Sequence, residues 1–439
     1  MAVQIPFATL PNLEITDVVT DVFVTGLLQQ CQIPDNEPEW LTKVRQQAAT
    51  WVSHLQVPTK KDEDWRFIDL SSLVKTDFTT PQSVEAYQVT SLQETENSRL
   101  VFVNGIYNSE LSNLSGLPEG IYVGSLDKLP DNYPVSEYFA QQEGTQDVFT
   151  ALNTTSCSNI NAIWVDKNVA LDTPIHLLFV TDSEDKASFS QTRTLVVAET
   201  GASISLIEEY TGTGEYFTNA VTEIHLRENA SLKHTRLQQE SEQSYHIGKT
   251  VISQARDSRY TINEINFGAK LSRHNPEVLQ QGEQTETNLN GLTVATGEQV
   301  ADTHSIVALT KPHGTTDQLH KCIVSDRAHT VFNGKVFVPK TAQLTDASQL
   351  NRNLLLSSKA RVDTKPELQI TADNVKCSHG ATVSQLEAEE IFYLRSRGLS
   401  ETDASQLLID AFAAEIIERI SVKSLRDRIT QTVVEKINN

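Results

Sequence analysis

The sequence predicts a mainly β fold, a right-handed parallel β-helix solenoid flanked by N-terminal and C-terminal helical regions. Three observations carry that prediction. Between about Leu100 and Val338 the chain breaks into short β-branched runs, such as Arg193-Thr194-Leu195-Val196-Val197 and Lys335-Val336-Phe337-Val338, separated by Gly, Asn, Asp and Ser. Within that region Gly201-Ala202-Ser203-Ile204, Asn229-Ala230-Ser231-Leu232 and Asp257-Ser258-Arg259-Tyr260 recur at intervals of about 28 residues, a spacing typical of solenoid repeats. Apolar residues at three- and four-residue steps are concentrated at the two ends. A sandwich needs no such repeat, whereas in a solenoid each coil covers the apolar face of its neighbour and the core grows along one axis.

Residues 1–95 read as a mainly helical region. Trp40, Leu41, Val44, Ala48, Trp51, Val52 and Leu55 form one helical stripe, which Pro58 ends. The charged loop Lys60-Lys61-Asp62-Glu63-Asp64 leads into Trp65-Arg66-Phe67-Ile68-Asp69-Leu70. With no catalytic arrangement around it, this segment reads as an aromatic anchor that packs on the next domain. Residues 96–375 form the β-helix core, its repeat blurring around Thr285 and His313. Residues 376–439 return to helix. Ser384-Gln385-Leu386-Glu387 matches a capping box and Gly398 suits a left-handed stop, so a helix is expected between them. Ser400-Glu401-Thr402-Asp403 opens a second helix with a stripe of Ala404, Leu407, Leu408, Ala411 and Phe412, and Leu425, Ile429, Val433 and Ile437 mark a third.

Composition excludes several function classes. Lys and Arg total 36 against 57 for Asp and Glu, a formal charge of −21 that repels nucleic acid phosphates and anionic membrane surfaces. No apolar run approaches the roughly 20 residues of a membrane helix, and residues 1–6 lack the basic end and apolar block of a secretory signal, so a cytoplasmic location is expected. Cys31, Cys157, Cys322 and Cys377 lie far apart with no Cys-x-x-Cys pair, which argues for reduced thiols and against a disulfide framework or a complete zinc or ferredoxin-type site. No phosphate-binding Gly-x-x-x-x-Gly-Lys-Ser/Thr run occurs, so ATP hydrolysis would have to belong to a partner.

Cys377-Ser378-His379-Gly380 brings together a thiolate and an imidazole, both suitable ligands for iron, at a spacing that puts them on one face of an extended strand. Two ligands do not complete a cluster or a tetrahedral site, so the others come from elsewhere in the fold or from another chain. On spacing alone, a buried free cysteine beside a histidine bonded to a backbone carbonyl is the commoner arrangement. Asp302-Thr303-His304, His313, His320, Cys322 and His329 also crowd ligand types together, but no acid is evident to orient a ligating ring, and solvated polar loops account for them as well.

The Cys377–Gly380 run, with Thr364-Lys365-Pro366-Glu367-Leu368-Gln369-Ile370 before it and Ile391-Phe392-Tyr393-Leu394-Arg395-Ser396-Arg397-Gly398 after it, resembles the SufB/SufD family of iron–sulfur cluster assembly proteins. Together with Trp65-Arg66-Phe67 it is most similar to the SufD branch. Val331-Phe332-Asn333-Gly334-Lys335 and Thr345-Asp346-Ala347-Ser348-Gln349 match both branches and report shared scaffold. The resemblance implies a β-helix flanked by helices, acting as a non-catalytic scaffold subunit that pairs with SufB through its core and carries the SufC ATPase on its C-terminal helices. It also implies metal-binding roles for His379 and Cys377 in a transient iron–sulfur cluster at the SufB junction, with no cofactor on the isolated chain. Free strand edges make a homodimer plausible when SufB is absent. Two other readings stay open at this point: a β-helix carbohydrate-active enzyme using paired carboxylates, and a purely structural β-helix.

Overall fold

A computed structural model describes residues 21–31, 33, 37–80, 91–141 and 147–438; residues 1–6, read above for a signal, lie outside them. Helices α1 (Val22–Gln30), α2 (Glu39–Val52) and α3 (Ser71–Lys75) form the N-terminal region. The stripe of α2 buries Leu41, Ala48 and Val52 together with Arg45, whose guanidinium reaches the carbonyls of Thr154, Thr155 and Cys157. The Trp65 segment is the anchor its sequence suggested. Its ring lies 3.9 Å beneath the Arg273 guanidinium and 5.8 Å from Phe149, while Ile68 and Leu70 are buried.

Strands β1 (Arg99–Val103), β2 (Ile106–Asn113) and β3 (Ile121–Ser125), helix α4 (Val148–Ser156) and strand β4 (Ile160–Val165) lead into the solenoid through two antiparallel pairs, β1 with β2 and β3 with β4. The next strands, β5 (Ile175–Ala198) and β6 (Ser203–Leu226), are each 24 residues long and pair in parallel over most of their length. Each later coil supplies two strands: β7 (Ser231–Gln239) and β8 (Tyr245–Gln254), β9 (Arg259–Asn266) and β10 (Leu271–Gln280), β11 (Glu286–Ala295) and β12 (Val300–Leu309), β13 (Thr315–Val324) and β14 (His329–Val338), β15 (Asp346–Leu355) and β16 (Arg361–Ile370). β17 (Lys376–Ser384) closes the series. The odd strands stack in parallel from β6 to β17 and the even strands from β6 to β16, giving the parallel β-solenoid expected from the repeat. β17 runs past position 375, so the solenoid continues into the segment read as wholly helical.

The repeat seen in the sequence is a stack of turns. Asn168, Gly201, Asn229, Asp257, Gln284, His313 and Leu344 all adopt left-handed φ between 56° and 74°. Each donates its N–H to the carbonyl just before the next turn, at 2.7–3.2 Å, as in Asn229 to Arg256 and Leu344 to Asn374. Gly, Asn and Asp tolerate this conformation; leucine pays for its Cβ. Inside the coils, Leu206, Ile224, Leu232, Ile252, Ile262 and Val278 form the apolar core, with Phe102, Phe179 and Tyr210 stacked at centroid spacings of 5.1 and 5.0 Å.

The interior also holds charge. The His234 ring lies between Glu208 (3.0 Å) and the Tyr260 hydroxyl (3.0 Å), Arg236 sits over the Tyr210 ring, and His274 meets Glu264 at 2.9 Å. Burial works to raise the Glu264 carboxyl, but His274 and Arg236 outweigh it and hold the group down at about 2.

Helices α5 (Ala388–Ser396), α6 (Glu401–Ile417) and α7 (Lys423–Asn438) follow. α6 and α7 cover the outer face of the odd ladder, where Ile409, Ala413, Ile416, Leu425, Ile429 and Val433 meet Leu237, Ile265, Leu292, Leu319 and Leu354. Two local expectations need correction. No capping box forms, because Ser384 ends β17 opposite Leu354 and α5 starts at Ala388 without a side-chain cap. The buried stripe of α6 is Ala404, Ile409, Ala413 and Ile416, whereas Leu407 and Ala411 face solvent. Ser400 caps α6 by accepting from the Asp403 N–H (3.1 Å), and Gly398 takes the left-handed stop after α5, as expected.

Two measurements follow from these contacts. Leu344 is 50 % exposed and holds left-handed backbone without a packing reason. Leu344→Asn should therefore raise the unfolding free energy by about 1 kcal/mol in denaturant titration, and no gain would show that the turn carries no strain. α7 is tied to the solenoid through Glu209, which meets Arg428 at 2.7 Å and His176 at 3.1 Å. Burial opposes ionisation of Glu209, but these two partners hold its carboxyl at about 2, below the ordinary 4.5. A depressed carboxyl contributes fully above pH 4.5 and loses that contribution as pH falls toward 2. Stability measured across that window should fall less steeply in Glu209→Gln than in the natural chain.

Candidate functional site

β17 is positioned by its turn: Leu344 N–H bonds to Asn374, Lys376 N–H to the Thr345 carbonyl, and Asn374 N–H to Oε1 of Gln343. That fixes the register Ala347 to Cys377 and Gln349 to His379. Side chains paired in a parallel ladder project to the same side, so Cys377 and His379 both stand on the interior face of the final strand. Among the described residues no strand covers them: β17 pairs with β15 alone, and β16 with β14 alone. His379 is accordingly exposed and Cys377 half-buried.

The Cys377 thiol is raised by its burial and by Asp346, while a bond from the Ala347 backbone lowers it. It is therefore a thiol at neutral pH and must lose its proton to bind metal, so binding would be coupled to proton release. Among the described residues no group of three or more His, Cys, Asp or Glu is arranged to hold a metal ion. Among the described residues, Cys377 and His379 stand as a pair without a third His, Cys, Asp or Glu arranged with them. The bland alternative, a histidine satisfied by a backbone carbonyl, does not describe an exposed ring on an open strand.

The second crowd of ligand types is dispersed by the fold. Asp302 and His304 project outward from β12, Asp302 bonded to Arg273 (2.5 Å) and His304 3.6 Å from Asp64. His320 points inward, stacked on Phe332 (5.1 Å) with Nε2 at 3.1 Å from the Thr293 hydroxyl. Buried Cys322 has its thiol pushed up to about 12 by desolvation. His313 occupies a turn, and His329 meets Asp363 at 2.7 Å. Each has a structural explanation, and alternation along β12 and β13 is what separates them.

Two features near the pair escaped the sequence. One is the buried amide chain beneath His379, formed by Gln349 and Gln318, which recur at the coil period but look like solvated polar residues when taken singly. The other is the exposure of α5, an expected helix none of whose residues is buried, with Phe392 74 % and Tyr393 57 % exposed.

Comparison with known proteins bears on this end of the molecule. Residues 179–412 match the family described as SUF system FeS cluster assembly, SufBD core domain, and residues 25–177 match the SufBD protein N-terminal region. An iron–sulfur cluster assembly SufBD family protein of Synechocystis is 47 % identical, covering 94 % of this chain and 95 % of the relative. The chloroplastic protein ABCI7 of Arabidopsis thaliana is 37 % identical over 88 % and 84 %. The iron–sulfur cluster assembly protein SufD of Escherichia coli is 32 % identical over 87 % of this chain and 89 % of its own length.

Proposed function

The chain belongs to the SufBD family of the SUF iron–sulfur cluster assembly system, and from that premise we propose that it is a non-catalytic scaffold subunit of the Suf assembly complex. It pairs with SufB through the solenoid core, carries the SufC ATPase on its C-terminal helices, and contributes His379 and Cys377 to a cluster formed transiently at the SufB junction. The cluster is cargo. The observation that carries this reading is the half-site itself: two iron-compatible residues side by side on a terminal strand, with no third of their kind among the described residues arranged beside them.

The open end of the solenoid suits a strand-bearing partner. Among the described residues β16 and β17 each leave one edge unpaired, and unpaired edges are templates for a further strand. A second copy could use the same edges in the absence of SufB, giving a homodimer. SufC docking is supported by the uncovered face of α5 and by the groove between α6 and α7, where Leu407, Ala411, Ala414 and Thr430 form part of the wall. α6 and α7 rest on the odd ladder that ends in β17, so movement of a bound ATPase would act on the sheet that carries His379. A reducing, cytoplasmic compartment accords with cysteines that lie unpaired in the fold.

Co-expression with SufB and SufC, anaerobic purification, and assay of bound iron and sulfide test the site. His379→Ala should give the intact complex at normal yield with most of its cluster lost. Unchanged iron in an intact complex would sink the ligand role, and failure of the natural chain to recruit either partner would sink the assignment. Separately, Phe392→Ala with Tyr393→Ala should reduce SufC recovery at least tenfold while leaving SufB pairing and the unfolding midpoint unchanged, because neither ring is part of the core.

A further inference from the structure

Behind His379 the bore of the solenoid is polar. Gln318 and Gln349 occupy the two preceding positions of its column. Gln318 donates through Nε2 to the Ser305 hydroxyl (2.8 Å), and Gln349 donates through Nε2 to Oε1 of Gln318 (2.8 Å). The Gln349 amide reaches across the bore to β14, where only a glycine makes room: a Cβ on Gly334 would collide with its nitrogen. Committing that nitrogen to the coil below turns the amide oxygen away from Gln318. Oε1 of Gln349 is left buried without a hydrogen-bond partner, on a residue only 2 % exposed. Asn353 Oδ1 and Thr364 Oγ1, at the same end of the bore, are also unpartnered. A buried acceptor in this state calls for a donor. The next residue of the column is His379, one strand spacing away, about 4.8 Å, and its exposed ring is free to turn.

We propose that Gln349 is the positioning residue for His379, its Oε1 accepting the N–H of one imidazole nitrogen so that the other presents its lone pair to the incoming metal. The inference rests on the reading of His379 as a junction ligand and deepens it. A ligating histidine commonly donates its second N–H to a fixed acceptor, which selects the tautomer and aims the ring. Here the acceptor is fixed because the amide chain runs back through Gln318 to Ser305, and it comes from the neighbouring strand, where the in-register ladder holds it.

The test reads the ring rather than the cluster. Long-range nitrogen–proton spectra of the histidine-labelled full chain report the tautomer of His379, assigned by the signal that His379→Ala removes. The natural chain should hold a single tautomer. Gln349→Met, similar in length and volume but without the acceptor, should release the ring to both forms, and Gln349→Glu, which restores an acceptor, should return it to one. Should Gln349→Met fail to fold, Gln349→Asn, too short to reach, takes its place. Both tautomers in the natural chain, or equal populations in the natural chain and the folded variant, would overturn the proposal. In the co-expressed complex Gln349→Met should weaken iron retention about 10- to 100-fold at normal complex yield, and unchanged retention would overturn the aiming role. A ring released by Gln349→Met beside an His379→Ala complex that keeps its iron would defeat the junction-ligand reading alone, so the two failures are distinguishable.

Discussion

Pairing without slip from β6 to β17 places each residue of the odd ladder beside its counterpart one coil earlier, and a shift of one residue would exchange the inward and outward faces of every later strand. The stacked turns enforce that register. Each left-handed residue spends its N–H on the following coil, so the corner of the solenoid is hydrogen-bonded along the same axis as its faces. His379 reaches the open end facing the bore because this accounting holds through every coil before it.

The ladder also explains how charge can be carried inside. Glu208, Arg236 and Glu264 follow one another in a single column, with His234 bonded to Glu208 and His274 within 2.9 Å of Glu264. Desolvating such groups is costly, and close alternation of sign offsets that cost. Toward the β17 end the bore changes from ions to amides. Gln318, Gln349, Asn351 and Asn353 fill it, and Oε1 of Gln349, Oδ1 of Asn353 and Oγ1 of Thr364 are among the buried polar atoms without a partner.

Legibility in the sequence followed local physics. Gly201, Asn229 and Asp257 betrayed the turns because those residue types accept left-handed backbone, whereas Gln284, His313 and Leu344 occupy equivalent corners through the stacking of the coils and so blurred the repeat. The Ser384 capping pattern failed because pairing with β15 satisfies that backbone before a helix can begin. In α6 apolar residues occur on two stripes, and composition could not tell the one that packs from the one left in solvent.

The sequence by itself determined the period of the solenoid, the helical ends, the wide spacing of the cysteines and the two iron-compatible residues, because each depends on residue type and short spacing. Tertiary structure alone decided that Asp302, His304, His320 and Cys322 part company, that Cys377 and His379 stand on an uncovered strand, and that a buried glutamine waits behind the histidine. Those outcomes depend on which face of which coil a side chain occupies, and that is fixed by a ladder joining residues a full coil apart.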